Sequence, residues 1–266
     1  MKDFNFYGIG KKFVIGMVHC LPLPGTAGFQ DNVEVIIQQA VSDALTLEKA
    51  GVDAIMIENM GDGPFNATLD IEQSTALSAI AMKVKNTVSI PVGIDAAFND
   101  YKTSLSIAKI IGAEFVRIPV FVDTVIFYNG IINPCARDAM IYRHKIHAEN
   151  VKILADVQVK HTHMLVPTIS IEESAKNAAT CGADGIIVTG VSIGTETPMD
   201  IIHRVKKVVS IPVIVGSGAN NLNIKTQLEV ADGAIIGSSL KEKGIISNPI
   251  SFELTKQVLD ALYKEE

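Results

Sequence analysis

The chain contains no tryptophan, and aromatic residues make up only 6% of its 266 residues. Its core must therefore be built from aliphatic side chains, and hydrophobic residues as a whole account for 48% of the chain. Cores rich in Val, Ile and Leu are typical of parallel strands that are buried on both faces. No apolar run approaches the roughly 18 residues that cross a bilayer, so we expect no integral membrane segment.

Cysteine is also scarce. The chain has three cysteines, Cys20, Cys135 and Cys181, which are far apart and odd in number. This usage argues against a disulfide framework, and we interpret Cys20 and Cys135 as buried, inert thiols. Residues 1–12 mix charged and aromatic side chains and lack the apolar stretch of a signal peptide. The sequence therefore predicts a cytoplasmic protein.

Clustered positive charge is missing as well. The 23 Lys and Arg residues are outnumbered by 29 Asp and Glu, which gives a formal net charge of −6, and the basic residues are scattered along the chain. Surfaces that bind nucleic acid or anionic lipid usually display clustered Lys and Arg. We therefore expect neither a nucleic-acid partner nor direct binding to a membrane.

The sequence does contain a regular alternation of short runs rich in Val and Ile with longer segments of helical periodicity. In the first helical segment, 32–50, the apolar residues form one stripe at i, i+3, i+4 spacing. Asp31 or Asn32 can cap its start, and Gly51 can end it. The runs predict eight strands, at residues 13–19, 53–58, 90–95, 114–119, 151–158, 184–189, 211–216 and 232–237.

Eight such units fit a (βα)8 TIM barrel of the phosphate-binding kind, which typically needs about 250 residues. We therefore predict one α/β domain of this type over residues 1–266. A doubly wound open sheet also alternates strands and helices, but no G-x-G-x-x-G motif follows the first strand. A strand-entry phrase recurs in every second unit, as in Gly51-Val52-Asp53 and Gly182-Ala183-Asp184, and this favours a closed barrel.

Polar residues gather where the predicted strands end. In the fifth strand, Asp156, Gln158 and Lys160 share the inward parity of Leu154 and turn the strand polar toward the barrel mouth. Inward polar groups at that end of a TIM barrel usually belong to the active site; the alternative is a solvated strand end with an Asp156–Lys160 ion pair. We predict seven catalytic candidates around one mouth: His19, Glu58, Asp95, Arg117, Asp156, Lys160 and His161.

These candidates suggest roles. Asp156 or Glu58 could act as acid and base, and Arg117 could stabilise developing negative charge. Lys160 has two interpretations. If desolvated, it could form an imine with a carbonyl substrate, whereas an ion pair with Asp156 or Glu58 would keep it charged and unreactive.

Strands seven and eight are each followed by a turn rich in glycine and serine, Gly216-Ser217-Gly218 and Gly237-Ser238-Ser239. Glycines let backbone amides approach an anion, hydroxyls add donors, and the following helix contributes its dipole. In TIM barrels a phosphate is frequently held by these two loops. We predict that a small phosphorylated substrate is bound by Gly190, Gly216, Ser217, Gly218, Gly237 and Ser238.

The segment 121–134 is long for a loop between a strand and a helix, and long loops at this face commonly act as lids. Its apolar residues could equally form a contact between subunits, because they are unsuited to exposure in water. A homo-oligomer is therefore expected. The apolar residues concerned are Phe121, Ile126, Phe127, Ile131 and Ile132.

Several phrases together resemble the BtpA/SgcQ family of TIM-barrel proteins: IGMVHCLPLPG at 15–25, ENMGDGPF at 58–65, ND at 99–100, VKILADVQVKH at 151–161 and DGAIIGSSLK at 232–241. The resemblance implies a phosphate-binding (βα)8 barrel. It also implies a functional setting in photosystem I biogenesis for one branch and in carbohydrate utilisation for another. This sequence departs from the implied pattern at Asp95, where Asn is expected, and at Phe98, where Arg is expected.

Three functions are compatible with these residues. The first is an enzyme that acts on a phosphorylated sugar or phosphoribosyl compound by lyase, isomerase or glycosidic-cleavage chemistry, without a cofactor or a metal. The second, implied by the resemblance, is a non-catalytic assembly or stability factor of the photosystem I biogenesis type. The third is a metal-dependent hydrolase that uses Asp156, His161 and His163. We favour the enzyme, because a scaffold has no physical need for charged groups on the inward face of a buried strand.

Overall fold

Eight parallel strands close into a barrel, in which each strand pairs with its sequence neighbours and the first pairs with the last. The computed structural model describes residues 12–190 and 196–263. The predicted (βα)8 TIM barrel is confirmed. Its strands are β1 (Phe13–His19), β2 (Ala54–Glu58), β3 (Val92–Asp95), β4 (Phe115–Ile118), β5 (Lys152–Asp156), β6 (Gly185–Val188), β7 (Val213–Val215) and β8 (Gly233–Ile236).

The helices of the described residues alternate with these strands and cover the outside of the barrel. The first begins and ends as predicted: the side chain of Asn32 accepts a hydrogen bond from the Val35 amide, and Gly51, at φ 102°, ends the helix in the left-handed region. The helices are α1 (Val33–Ala50), α2 (Ile71–Lys85), α3 (Tyr101–Ile111), α4 (Ala136–Lys145), α5 (Ile171–Thr180), α6 (Met199–Lys206), α7 (Ile224–Val230) and α8 (Phe252–Tyr263).

Strand parity separates two hydrophobic layers. Leu154 of β5 packs inside the barrel, whereas Ile153 and Ala155 pack against the helices. Inside the barrel, bulky side chains fill the space beside glycines on neighbouring strands. A Cβ at Gly93 of β3 would lie 2.0 Å from the Phe115 ring of β4, so only glycine fits there. The barrel interior is therefore a packed core, as is usual for this fold.

The recurring strand-entry phrase has a structural explanation at the amino-terminal end of the barrel. Each acidic residue that precedes an even-numbered strand accepts a backbone N–H from the preceding odd-numbered strand. The carboxylate thereby extends the pairing of two parallel strands by one hydrogen bond. The four bonds are Val14 N to Asp53 at 2.9 Å, Val92 N to Glu114 at 2.8 Å, Ile153 N to Asp184 at 3.0 Å and Val213 N to Asp232 at 2.7 Å.

All strands except β1 are shorter than predicted. The largest consequence is in β5, which ends at Asp156 rather than at Gln158. Gln158 has a φ of 48°, which lies in the left-handed region and is incompatible with an extended strand. The predicted strand parity is therefore wrong beyond Asp156.

The predicted lid at 121–134 contains a short hairpin. Val125–Phe127 pairs with Gly130–Ile132, and His163–Met164 from the loop after β5 adds a third antiparallel strand. Phe127 and Ile132 are buried under this small sheet, whereas Ile126 and Ile131 are exposed. Part of the apolar surface is thus covered within the chain itself.

None of the helices in the described ranges is long and apolar enough to cross a membrane. Of the segment 1–12, considered above for a signal peptide, only Lys12 lies within the described residues. Cys20 and Cys135 are buried, as predicted. Burial raises the pKa of the Cys135 thiol to about 12, so this thiol stays protonated.

Candidate functional site

A cavity of about 450 Å³ opens at the carboxyl ends of the barrel strands. The structure places six of the seven predicted catalytic residues in its wall, and the seventh, Asp156, binds one of these six, Arg117. Strand parity explains the placement of the wall residues that lie on strands, because inward side chains at the ends of parallel strands face the mouth. Lys160 and His161 reach the wall from the loop after β5. The residues in the wall are His19, Glu58, Asp95, Arg117, Lys160 and His161.

A single guanidinium organises the carboxylates of the mouth. Arg117 Nε donates to Asp156 Oδ1 at 2.7 Å, and Nη2 donates to Asp156 Oδ2 at 2.8 Å. The remaining nitrogen, Nη1, lies 3.5 Å from Asp95 Oδ2. The three side chains are buried. Because the bidentate contact occupies both oxygens of Asp156, this residue is the main ion-pair partner of Arg117.

Two further carboxyl groups hold their protons more tightly than usual. Burial raises the pKa of Asp95 well above its ordinary value of 3.8, and the neighbouring charge of Glu58 adds to the shift, while Arg117 opposes it. Burial also raises the pKa of Glu58, again against the influence of Arg117. Asp95 Oδ1 has no hydrogen-bond partner among the described residues. The mouth thus contains one carboxyl group, Asp95, whose protonated form is favoured, close to another, Asp156, that is paired with Arg117.

His19 is neutral at physiological pH. Burial lowers the pKa of its imidazole to about 3, and the positive charges of Lys241, Lys160 and Arg117 act in the same direction. Its Nε2 lies 3.5 Å from Glu58 Oε2. His19 therefore lies beside Glu58 as a neutral ring and does not supply a permanent charge.

The loop after β5 corrects two expectations. The alternative Asp156–Lys160 ion pair is not formed; Asp156 pairs instead with Arg117, through both carboxylate oxygens. Gln158 is not among the described residues that line the cavity, and its side-chain amide donates to the carbonyl of Ile169 at 3.1 Å. Lys160 lines the cavity and makes no ion pair with any carboxylate of the described residues.

The loops after β7 and β8 form another part of the wall, and these strands lie across the closed barrel from β3 and β4. A short 3-10 helix, Ser238–Leu240, begins directly after Gly237. The first N–H groups of a helix lack acceptors within it and are available to an anion. Five predicted phosphate-binding residues line the cavity here: Gly216, Ser217, Gly218, Gly237 and Ser238.

The sixth predicted phosphate-binding residue, Gly190, is not among the described residues that line the cavity. Its amide donates to Ser217 Oγ at 2.7 Å, so it positions that hydroxyl instead. Gly237 has a steric role as well, because a Cβ there would lie 2.7 Å from Cε1 of His19. The close approach of imidazole and backbone therefore requires glycine at this position.

An aromatic wall under the lid was not predicted. Phe98 stacks on Phe127 with ring centroids 4.2 Å apart, and Phe127 contacts Tyr128 at 3.9 Å. The Tyr128 hydroxyl hydrogen-bonds with the backbone of Phe65, which connects the hairpin to the loop after β2. All four rings line the cavity. Their position on loops just after β2, β3 and β4 is the signal that could have identified them.

The residues considered for a metal site are not arranged as ligands. His161 has a φ of 67° and lies outside any strand, while His163 belongs to the lid sheet. Both oxygens of Asp156 are bound to Arg117. No group of three His, Cys, Asp or Glu in the described parts of the chain could hold a metal ion. The geometry therefore gives the metal-dependent alternative no ligand set.

Solved structures define the class of protein to which this fold belongs. The chain resembles a chain of tryptophan synthase from Mycobacterium tuberculosis with a TM-score of 0.63, over 96% of this chain and 94% of that one, at 15% identity. It resembles thiamine phosphate pyrophosphorylase from Pyrococcus furiosus with a TM-score of 0.58, over 94% and 95% of the two chains, at 15% identity. At such identities the likeness shows the TIM-barrel fold alone.

The chain belongs to the BtpA family, whose model matches residues 10–264. It is 42% identical over 257 residues to an uncharacterized protein of Pyrococcus furiosus, covering 96% of this chain and 95% of that protein. It is 35% identical over 240 residues to the photosystem I biogenesis protein BtpA of Synechocystis sp., covering 89% and 83%. The predicted membership of this family is confirmed.

Proposed function

We propose that the chain is an enzyme that performs acid–base chemistry on a phosphorylated small molecule, of the sugar phosphate or phosphoribosyl type. The observation that carries this proposal is the division of one cavity into two parts. Charged groups from β2 to β5 gather at one side, and the glycine- and serine-rich loops after β7 and β8 line another. A ligand anchored by a phosphate at these loops would present its other end to the charged groups.

The anchoring part is suited to an anion. Gly218 has a φ of 69°, a conformation that glycine adopts without strain, and the loop it belongs to lines the cavity beside the 3-10 helix at Ser238. Phosphate binding at these loops is frequent in TIM barrels. Ser239 Oγ donates to the carbonyl of Ala219 at 2.6 Å, which ties the two loops together. The site can therefore be preorganised before the ligand arrives.

The reacting part offers an acid and a base. Burial and the nearby Glu58 charge raise the pKa of Asp95, which favours its protonated form, so this group can donate a proton. Glu58, next to the neutral His19, can accept one. Asp156 is not proposed as the acid or base, because both of its oxygens bind Arg117. The buried guanidinium remains available to stabilise negative charge that develops on the substrate.

The anion site can be tested by calorimetric titration with inorganic phosphate and with ribose 5-phosphate. Ser238→Asp places a negative charge in the cavity wall and should weaken both affinities by at least about tenfold, a difference of roughly 1.4 kcal/mol. Ser210→Asp adds the same charge at an exposed position before β7, at the opposite end of the barrel, and should leave binding unchanged. Equal affinities in all three proteins would refute the proposed anchor.

Catalysis is tested separately, by screening sugar phosphates and nucleoside monophosphates for turnover by NMR. Asp95→Asn keeps the shape of the acid but cannot donate its proton, so it should abolish turnover and retain phosphate binding. The similarity to the Synechocystis photosystem I biogenesis protein supports a second candidate, a non-catalytic assembly factor. That candidate would be favoured if Asp95→Asn left the cellular role of the protein unaltered.

A further inference from the structure

Lys160 is an isolated cation in the barrel mouth. Among the described residues that line the cavity, it is the only lysine. Asp156 is bound at both oxygens to Arg117, and Asp95 lies next to the same guanidinium. The third nearby carboxyl group, Glu58, lies 3.5 Å from His19 Nε2 and forms no ion pair with Lys160 among the described residues. Lys160 therefore competes with Arg117 for carboxylates and obtains no ion pair from the described residues.

An ammonium group in this position is unfavourable. Burial lowers the pKa of Lys160, and the charge of Arg117 lowers it further, although Glu58 acts in the opposite direction. Losing the proton relieves both the desolvation and the repulsion. The neutral amine is the nucleophilic form of lysine. The mouth thus contains an amine that is more available for reaction at neutral pH than an exposed lysine.

The backbone that carries Lys160 is held in place. Its own amide donates to Thr189 Oγ1 at 3.1 Å, which links the loop to the end of β6. The preceding residue, Val159, packs under the lid with Phe98. The amide of Gln158 donates to Asp123 Oδ2 at 2.8 Å. These contacts fix the root of the side chain, so that its amine is presented to the cavity rather than to bulk solvent.

We propose that Lys160 forms an imine with the carbonyl group of a phosphorylated aldehyde or ketone, whose phosphate is held by the loops after β7 and β8. This inference rests on the proposed function, because the anchored phosphate brings the carbonyl to the amine. It narrows the substrate class to phosphorylated carbonyl compounds. The ring-opened form of a sugar phosphate belongs to that class.

The step balances as follows in atoms and electrons. Lys160 Nζ attacks the carbonyl carbon, a C–N bond forms, and the carbonyl π electrons move to oxygen, which takes a proton from Asp95. The nitrogen releases a proton to Glu58. Glu58 returns its proton to the resulting hydroxyl, which leaves as water while the nitrogen forms the C=N bond and passes its second proton to the Asp95 carboxylate. The amine hydrogens and the carbonyl oxygen thus leave as one water molecule, and no oxidant or reductant is needed.

Borohydride trapping tests the inference, because borohydride reduces an imine to a stable secondary amine. The probes are pyridoxal 5′-phosphate, dihydroxyacetone phosphate and ribulose 5-phosphate, each compared with its dephosphorylated counterpart. We expect one adduct in the peptide that contains Lys160, found by mass spectrometry with at least one phosphorylated probe and suppressed by inorganic phosphate. Labelling of Lys160 should exceed that of the exposed Lys83 by about tenfold for each unit by which burial lowers the pKa of Lys160 below the ordinary lysine value.

Three variants serve as controls. Both Lys160→Met and Lys160→Arg should lose the adduct. Because Lys160→Arg retains the positive charge, loss of the adduct in this variant shows that the amine is required, and not merely a positive charge. Lys83→Met should leave the adduct unchanged. Lys160 should also remain labelled at a lower pH than Lys83, a readout that a structural role would not produce.

The outcomes separate the two proposals. Absence of an adduct at Lys160 with all three probes, in a protein that binds inorganic phosphate, overturns the imine and leaves the proposed function standing. Labelling that is spread over exposed lysines and unchanged in Lys160→Met also overturns it. Failure of the wild-type protein to bind phosphate in the calorimetric titration contradicts the proposed function itself.

Discussion

Replacing Asp156 by asparagine should destabilise the barrel far more than the same replacement at Asp95, although both carboxyl groups are buried beside one guanidinium. Asp156 accepts two hydrogen bonds from Arg117, at 2.7 and 2.8 Å, and the two side chains are 1% and 7% exposed. Removing one partner of a buried ion pair costs about 3–5 kcal/mol, because it leaves an uncompensated charge. In a chain of this size, Asp156→Asn should lower Tm by roughly 6–20 °C.

Asp95→Asn should change stability by less than about 1 kcal/mol near pH 4, since the unfolded carboxyl group has only begun to lose its proton there and an amide replaces a group that burial favours in its neutral form. The unfolded chain releases the Asp95 proton near its ordinary pKa of 3.8, whereas burial raises the pKa in the folded chain, which keeps the proton to higher pH. The folded state then binds more protons, so this contribution to stability is present below pH 3.8 and is lost as the pH rises through the folded pKa. Asp95→Asn should remove this pH-dependent loss of stability, because asparagine has no proton to release in this pH range.

The assay is urea denaturation of the wild type and both variants at several pH values between about 4 and 8. A double variant, Arg117→Leu with Asp156→Leu, removes both charges and should recover part of the stability lost in Asp156→Asn. Equal losses of stability in Asp95→Asn and Asp156→Asn would refute the inference that Arg117 pairs mainly with Asp156. A double variant that is less stable than Asp156→Asn would show that the loss does not come from an unpaired charge.

Three further predictions concern other parts of the barrel. Tyr128→Phe removes the hydroxyl that binds the Phe65 backbone and should speed amide hydrogen exchange in the lid hairpin without altering global stability. Asp232→Ala leaves the buried Val213 amide without its acceptor and should cost about 1–3 kcal/mol in urea denaturation, with phosphate affinity unchanged. His19 stays neutral when folded because burial lowers its pKa to about 3, so its contribution makes stability fall as the pH drops below 6.5, and His19→Gln should flatten that fall in denaturation experiments.

The fold could be predicted because its determinants are local and repeated. Val- and Ile-rich runs locate all eight strands, and the capping residues Asn32 and Gly51 locate the first helix. The acids before even-numbered strands form a recurring pattern in the sequence, but the sequence does not reveal their role. It depends on a contact between chain segments that are far apart, such as Asp232 with Val213 across neighbouring strands. Only the folded barrel brings such groups together.

The position of the site residues could be predicted, whereas their pairing could not. Parity places Asp95, Arg117 and Asp156 at one mouth, because it requires only the period of a strand. It fails at Gln158, where the left-handed backbone ends the alternation. The sequence suggests Lys160, four residues away on the same predicted strand, only as an alternative partner of Asp156. The actual partner, Arg117, comes from the neighbouring strand, and proximity along the chain gives no information about it.

The ion pair between Asp156 and Arg117 affects the electrostatic environment of the other charged groups in the mouth. Its bidentate contact with Arg117 compensates one positive charge and leaves the other, on Lys160, without a partner among the described residues. Burial and the charge of Glu58 raise the pKa of Asp95, and Arg117, which lies 3.5 Å away and is paired with Asp156, only partly opposes this shift. Burial and the charge of Arg117 lower the pKa of Lys160 and thereby favour its neutral amine, the form that the proposed imine formation requires. A structural ion pair in the barrel wall thus creates the conditions for reactivity in the residues beside it.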